Sequence, residues 1–108
     1  MSLTEQEFRV TSDQALDAAR HALLPLADSE GFEVELQNGV LNLVFEEPAE
    51  TKFVVSPNAP VRQICVSAMS RSFKLSWAPQ LDSFALDGET LPVLLERLTR
   101  QFLSGAAR

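Results

Sequence analysis

Asp13, Asp17 and His21 stand four residues apart in turn, so on a helix they share one face. Two carboxylates and an imidazole one turn apart can hold a divalent metal, with waters completing its shell. The competing reading is a solvated helix face in which Arg20 pairs with Asp17 and opposes cation binding. A second group follows: Asp28 and Glu30 in a polar stretch, then Glu33 and Glu35 on the same side of an alternating segment. These four extend the negative surface if the segment is a sheet edge beside the helix; the alternative is charge that protects an exposed edge strand from pairing. Farther on, Gln63, Cys65 and Ser67 share one strand face. Cys65 is either an accessible thiol or a small apolar filler.

Other chemistry finds no support. The single histidine and single cysteine lie far apart in sequence, with no nucleophile–base–acid arrangement, phosphate loop or dinucleotide fingerprint. One cysteine cannot make a disulfide framework or a thiolate-rich metal site. The 108 residues carry a net charge of −6, unevenly spread: residues 1–50 hold eleven acidic and two basic residues, residues 51–108 four acidic and seven basic. An acidic field repels phosphate backbones, so a nucleic-acid partner is not expected; cations or a basic protein surface suit it, and solubility alone is the plainer alternative. No apolar run approaches the ~20 residues of a membrane span, and the first residues lack the cationic and apolar parts of a signal peptide. A cytosolic, monomeric, single-domain protein covering residues 1–108 is expected.

The elements that must position these residues are legible from periodicity. Phe8, Ser12, Ala15, Leu16, Ala19 and Leu23 form one stripe, which predicts a helix from about Glu5 to Leu24. Pro25 should end or kink it, leaving Asp28-Ser29-Glu30-Gly31 as a loop. From Phe32 the period becomes two, with Val34 and Leu36 against Glu33, Glu35 and Gln37; Asn38-Gly39 then marks a hairpin turn. Short strands are predicted at 40–46, 51–55, 61–67, 72–77 and 81–86, with Ser56-Pro57-Asn58-Ala59-Pro60 as a break. Thr90 reads as an N-cap before a last helix whose buried stripe is Leu91, Leu94, Leu95, Leu98 and Phe102. The fold class is therefore α+β: a two-layer sandwich with the N- and C-terminal helices on one face of a five- to six-stranded antiparallel sheet. The other face meets water.

At this point the chain resembles the frataxin family, including its bacterial members. The resemblance rests on Glu7-Phe8 and Asp13-Gln14 in helix 1, and on the hairpin Phe32-Glu33-Val34-Glu35-Leu36-Gln37-Asn38-Gly39-Val40-Leu41. It also rests on Ala59-Pro60-Val61-Arg62-Gln63-Ile64, on Asp87-Gly88-Glu89-Thr90-Leu91, and on Leu94-Leu95-Glu96. It implies the same helix–sheet–helix fold and weak, reversible binding of iron (Fe2+ or Fe3+) by surface carboxylates, here Asp13, Asp17, His21, Asp28, Glu30, Glu33 and Glu35. It also implies docking onto the cysteine desulfurase and scaffold that build iron–sulfur clusters, through an open sheet face carrying Gln63 and Cys65 with Arg71 nearby. The role implied is iron carrier, sensor or regulator; a docking module without iron is the alternative, and a weak ferroxidase activity enters by resemblance only. Counting back from Gly39 puts Arg20, His21, Leu24, Pro25 and Ala27 where the family has a dense acidic ridge. Cys65 stands where the family has an exposed tryptophan, and Ser56 where it has an asparagine. Lower affinity for both iron and a conventional partner is the expectation.

Overall fold

Thr4 starts the first helix by reciprocal capping. Its hydroxyl accepts from the Glu7 backbone N–H at 3.1 Å, and the Glu7 carboxylate accepts from the Thr4 N–H at 2.9 Å. The computed structural model describes residues 3–105. Helix α1 spans Glu5–Glu30, and the predicted stop at Pro25 is corrected: the proline lies inside the helix. A proline in a helix interior removes one hydrogen bond and costs ~3 kcal/mol or more. Here the buried stripe of Leu16, Ala19 and Leu23 continues to Ala27, so packing offsets that cost. The helix ends at Gly31, whose φ of 80° suits glycine, and the N–H groups of Gly31 and Phe32 both donate to the Ala27 carbonyl. Asp28 and Glu30 therefore sit on the last turn of α1, not in a loop.

Seven strands follow in one antiparallel sheet whose spatial order is the chain order: β1 Glu33–Gln37, β2 Val40–Phe45, β3 Thr51–Asn58, β4 Gln63–Ala68, β5 Arg71–Ala78, β6 Ser83–Leu86 and β7 Glu89–Thr90. Helix α2, Leu91–Ser104, completes the chain. The sheet has more strands than expected because two-residue β7 pairs with β6 before α2 begins. β3 also runs through the predicted break. Past Ser56 it pairs only with β4, so Pro57 has no β2 neighbour needing its missing N–H. Val61 and Leu81 fall not in strands but in two short 3-10 turns, Ala59–Val61 and Pro79–Leu81, closed by left-handed Arg62 and Asp82.

Both helices cover one face. Leu41, Leu43, Phe45, Phe53, Val55, Ile64, Val66 and Leu75 point into the core, where they meet Leu94, Leu95 and Leu98 of α2 and Leu16 and Leu23 of α1. Phe45 is central at one end, with ring centroids 4.8 Å from Phe32, 4.9 Å from Phe53 and 4.8 Å from Phe102. At the other end Phe84 is packed edge-on between Phe8 at 5.7 Å and Trp77 at 5.3 Å. The alternation that fills the core fixes what faces water. Glu33, Glu35, Val40, Asn42, Val44, Lys52, Val54, Gln63, Cys65 and Lys74 all fall on the open face.

Candidate functional site

The seven predicted metal-binding residues fall into three sets. Asp13, Asp17 and His21 lie exposed on α1, opposite its buried stripe. Asp17 is already engaged on both oxygens: Oδ1 is 3.5 Å from Arg20 Nη2 and Oδ2 is 3.5 Å from His21 Nδ1. His21 Nδ1 also lies 3.2 Å from the Asp17 carbonyl, while its Nε2 is 3.4 Å from Arg20 Nη2. With Nδ1 protonated, that nitrogen donates to the Asp17 carbonyl and the Nε2 lone pair accepts from Arg20. A backbone carbonyl that accepts from one ring nitrogen, as the Asp17 carbonyl does here, is a common support of a histidine ligand. Arg20 occupies the position a cation would take, and its side chain must swing aside before His21 can ligate.

Asp28 and Glu30 form the second set. Both are exposed on the last turn of α1, which contains no basic residue. A helix C-terminus carries partial negative charge, so each acid there is disfavoured by ~0.3–1 kcal/mol, and a bound cation relieves that tension. Ser29 donates its hydroxyl to Glu30 Oε2 at 3.4 Å.

Glu33 and Glu35 form the third set. β1 is the sheet edge and lies beside α1, as the negative-patch reading required. Their side chains, however, pair across strands with Val44 and Asn42 on the open face, turned away from the helices. The acids of α1 and those of β1 thus flank the same edge from opposite sides. Among the described residues, no three carboxylate, imidazole or thiol groups converge closely enough to enclose an ion. The surface offers separate one- and two-ligand positions.

The open face has a different character. Gln63 is cross-strand from Ser76, to which its amide donates at 3.2 Å. Cys65 is a half-buried free thiol between Ser56 on β3 and Lys74 on β5. Around them lie half-buried Val40, Val44 and Val54, with Lys52 and Lys74 exposed. Arg71 is a correction. It pairs with buried Ala68 and shares the parity of Phe73 and Leu75, and its guanidinium lies 4.9 Å from the Phe73 ring centroid on the helix-bearing side. The two lysines and three valines of the open face were readable from strand alternation but stand out only once the strands are placed side by side.

Comparison with known proteins follows the same outline. The frataxin-like domain family matches residues 1–105. The chain is 33% identical over 103 residues to the iron-sulfur cluster assembly protein CyaY of Pseudomonas syringae pv. syringae, covering 92% of this chain and 88% of that relative. It is 31% identical over 103 residues to the CyaY of P. syringae pv. tomato, with the same shares covered. To the CyaY of Pseudomonas fluorescens strain Pf0-1 it is 28% identical over 105 residues, covering 94% of this chain and 90% of the relative. No helix among the described residues is long and apolar enough to cross a membrane.

Proposed function

The chain belongs to the frataxin-like domain family, and from that premise we propose that it serves iron–sulfur cluster assembly by binding iron weakly and reversibly while docked on the assembly machinery. The observation that carries this reading is the placement of charge: α1 and β1 carry exposed acids along both sides of one sheet edge. Iron is the cargo. Oxygen ligands suit it as a hard to borderline cation, and separate exposed carboxylates hold it loosely enough to release it.

Each set has its own part in that chemistry. On α1, Asp17 orients His21 while Asp13, one turn earlier, offers a second anionic ligand. At the end of α1, the helix dipole adds to the pull of Asp28 and Glu30 on a cation. On β1, Glu33 and Glu35 face the same side as Gln63 and Cys65, so iron held there would lie on the surface that meets a partner. The partners supported by the family are a cysteine desulfurase and the scaffold on which clusters are built. Cys65 offers that interface a small thiol, which cannot supply the contact area of an aromatic anchor, so affinity is modest.

The test is an anaerobic titration with ferrous iron, followed by amide shifts and set beside a binding assay with purified desulfurase and scaffold. Shifts at residues 13–21 and 28–35, together with measurable docking, support the reading. Docking without any iron-dependent shift would leave a metal-free interaction module as the better account.

A further inference from the structure

Between the first half of α1 and the start of α2 lies an open crevice of about 360 Å³, in the size range of small-ligand sites. It exists because α1 presents small Ala15 and Ala18 there beside Thr11 and Gln14, while Trp77 stands as the facing wall. The indole is half-buried and held by its edge-on contact with Phe84. Neither the acidic edge nor the open sheet face includes this crevice.

Its chemistry is one-sided. Among the described residues, Asp82 is the only ionised side chain in the lining. Thr11 already donates its hydroxyl hydrogen to the Glu7 carbonyl, and Ser83 donates its own to the Phe84 carbonyl at 3.3 Å. With their hydrogens so engaged, both oxygens can meet a ligand only as acceptors. Pro92, in the first turn of α2, has no N–H to offer. Among the described lining residues, N–H groups come from the Gln14 amide, whose carbonyl adds another acceptor, and from the edge of the Trp77 indole, which leaves the ring face as the wall. A carboxylate, an aromatic wall and several acceptors complement a cation with many donors spread over a flat group.

We propose that this crevice binds a guanidinium group on an aliphatic stem, with the guanidinium paired to Asp82 and stacked against Trp77 and the stem lying over Ala15 and Ala18. The site is independent of the iron reading. It gives the protein a second recognition point, remote from the acidic edge.

Because the chain contains a single tryptophan, its fluorescence reports on this crevice directly. The probes are N-acetyl-arginine methylamide, its neutral citrulline counterpart, and free L-arginine. A saturable fluorescence change with the arginine amide, and none with the citrulline amide, is expected. In Asp82→Asn the arginine response should weaken at least tenfold; asparagine tolerates the left-handed backbone at this position, so the fold is retained. Ala18→Leu, which fills the floor from the exposed side of α1, should abolish it while circular dichroism stays unchanged. A stronger response to the amide than to free arginine identifies a protein side chain as the natural ligand, and the reverse identifies the free amino acid. No response at tens of millimolar, equal responses to arginine and citrulline amides, or an unaltered response in Asp82→Asn would overturn the proposal.

Discussion

The acidic edge and the open sheet face rest on the same core yet solve different problems. Along α1 and β1, most acids project into solvent with few partners, and the charged group on the middle of α1, Asp17 with Arg20 and His21, is a local network spanning a single helical turn. Across β3 to β5, half-buried Val54, Ser56, Gln63 and Cys65 lie among exposed lysines and serines, all neutral or basic and set side by side by cross-strand pairing. The first region can attract a small ion through its field and release it easily. The second has the ordered, partly apolar surface that a macromolecular partner needs. Under the proposed function, the sheet would separate capture of cargo from docking, with β1 as the element that belongs to both.

That comparison can be broken first at its shared support. Leu95 is fully buried between α2 and the sheet, and Leu95→Ala should cost ~2–5 kcal/mol in denaturant unfolding. Both regions should lose function together in that variant, in proportion to the unfolded fraction. Loss in one region alone would show that it does not depend on the common core. Thr99 gives the opposite sign: it is fully buried and its hydroxyl has no hydrogen-bond partner among the described residues. Thr99→Val should therefore stabilise the fold by ~1 kcal/mol, because an unsatisfied buried hydroxyl is removed at nearly constant volume. A drop in stability would mean that the hydroxyl is satisfied.

Docking separates the two regions more sharply. Gln63→Ala with Cys65→Ala should weaken desulfurase or scaffold binding by roughly tenfold, about 1.4 kcal/mol, in a direct binding assay, with iron-dependent shifts on α1 unchanged. Intact docking in the double variant would move the partner surface elsewhere.

The smallest effect is electrostatic. The Glu89 carboxylate accepts from Arg97 Nε at 2.8 Å and Nη2 at 3.0 Å, and that hydrogen bonding holds its pKa below the usual glutamate range. Glu7 is lowered in the same direction by its capping bonds to Thr4. Groups whose folded pKa is depressed contribute stability that is present above the unfolded value, ~4.3, and is lost as pH falls through the folded one. Glu89→Gln should therefore flatten the acid limb of the stability curve slightly while leaving iron and partner binding at neutral pH unchanged. An acid limb identical to wild type would show that the pair contributes nothing measurable.

Much of this was legible in the sequence, and the failures have physical causes. Period-two alternation placed Glu33, Glu35, Gln63 and Cys65 on one side of their strands, and the structure keeps them there. The 3.6-residue stripe identified the buried side of α1, but the local rule for Pro25 missed that Ala27 continues the stripe and draws the helix onward. That miss put Asp28 and Glu30 in a loop and hid their position against the helix dipole. Arg71 failed for a different reason: nearness in sequence to an open-face segment says nothing about parity, and its register with Ala68 sends it to the other side. The Trp77 crevice depends on α1, β5 and the start of α2 meeting. No local pattern in the sequence encodes that meeting.

The claim on which this account turns is that the acidic edge binds iron through separate surface ligands. The most direct test is an anaerobic ferrous titration of the wild-type chain and of the Asp13→Asn, Asp17→Asn double variant, read by amide shifts at low and physiological ionic strength. The account predicts wild-type shifts concentrated at residues 13–21 and 28–35, with the helix set lost in the variant and the rest kept. It also predicts weaker binding throughout as the screening length falls from ~30 to ~8 Å. Shifts absent at millimolar iron, or unchanged in the double variant, would contradict it.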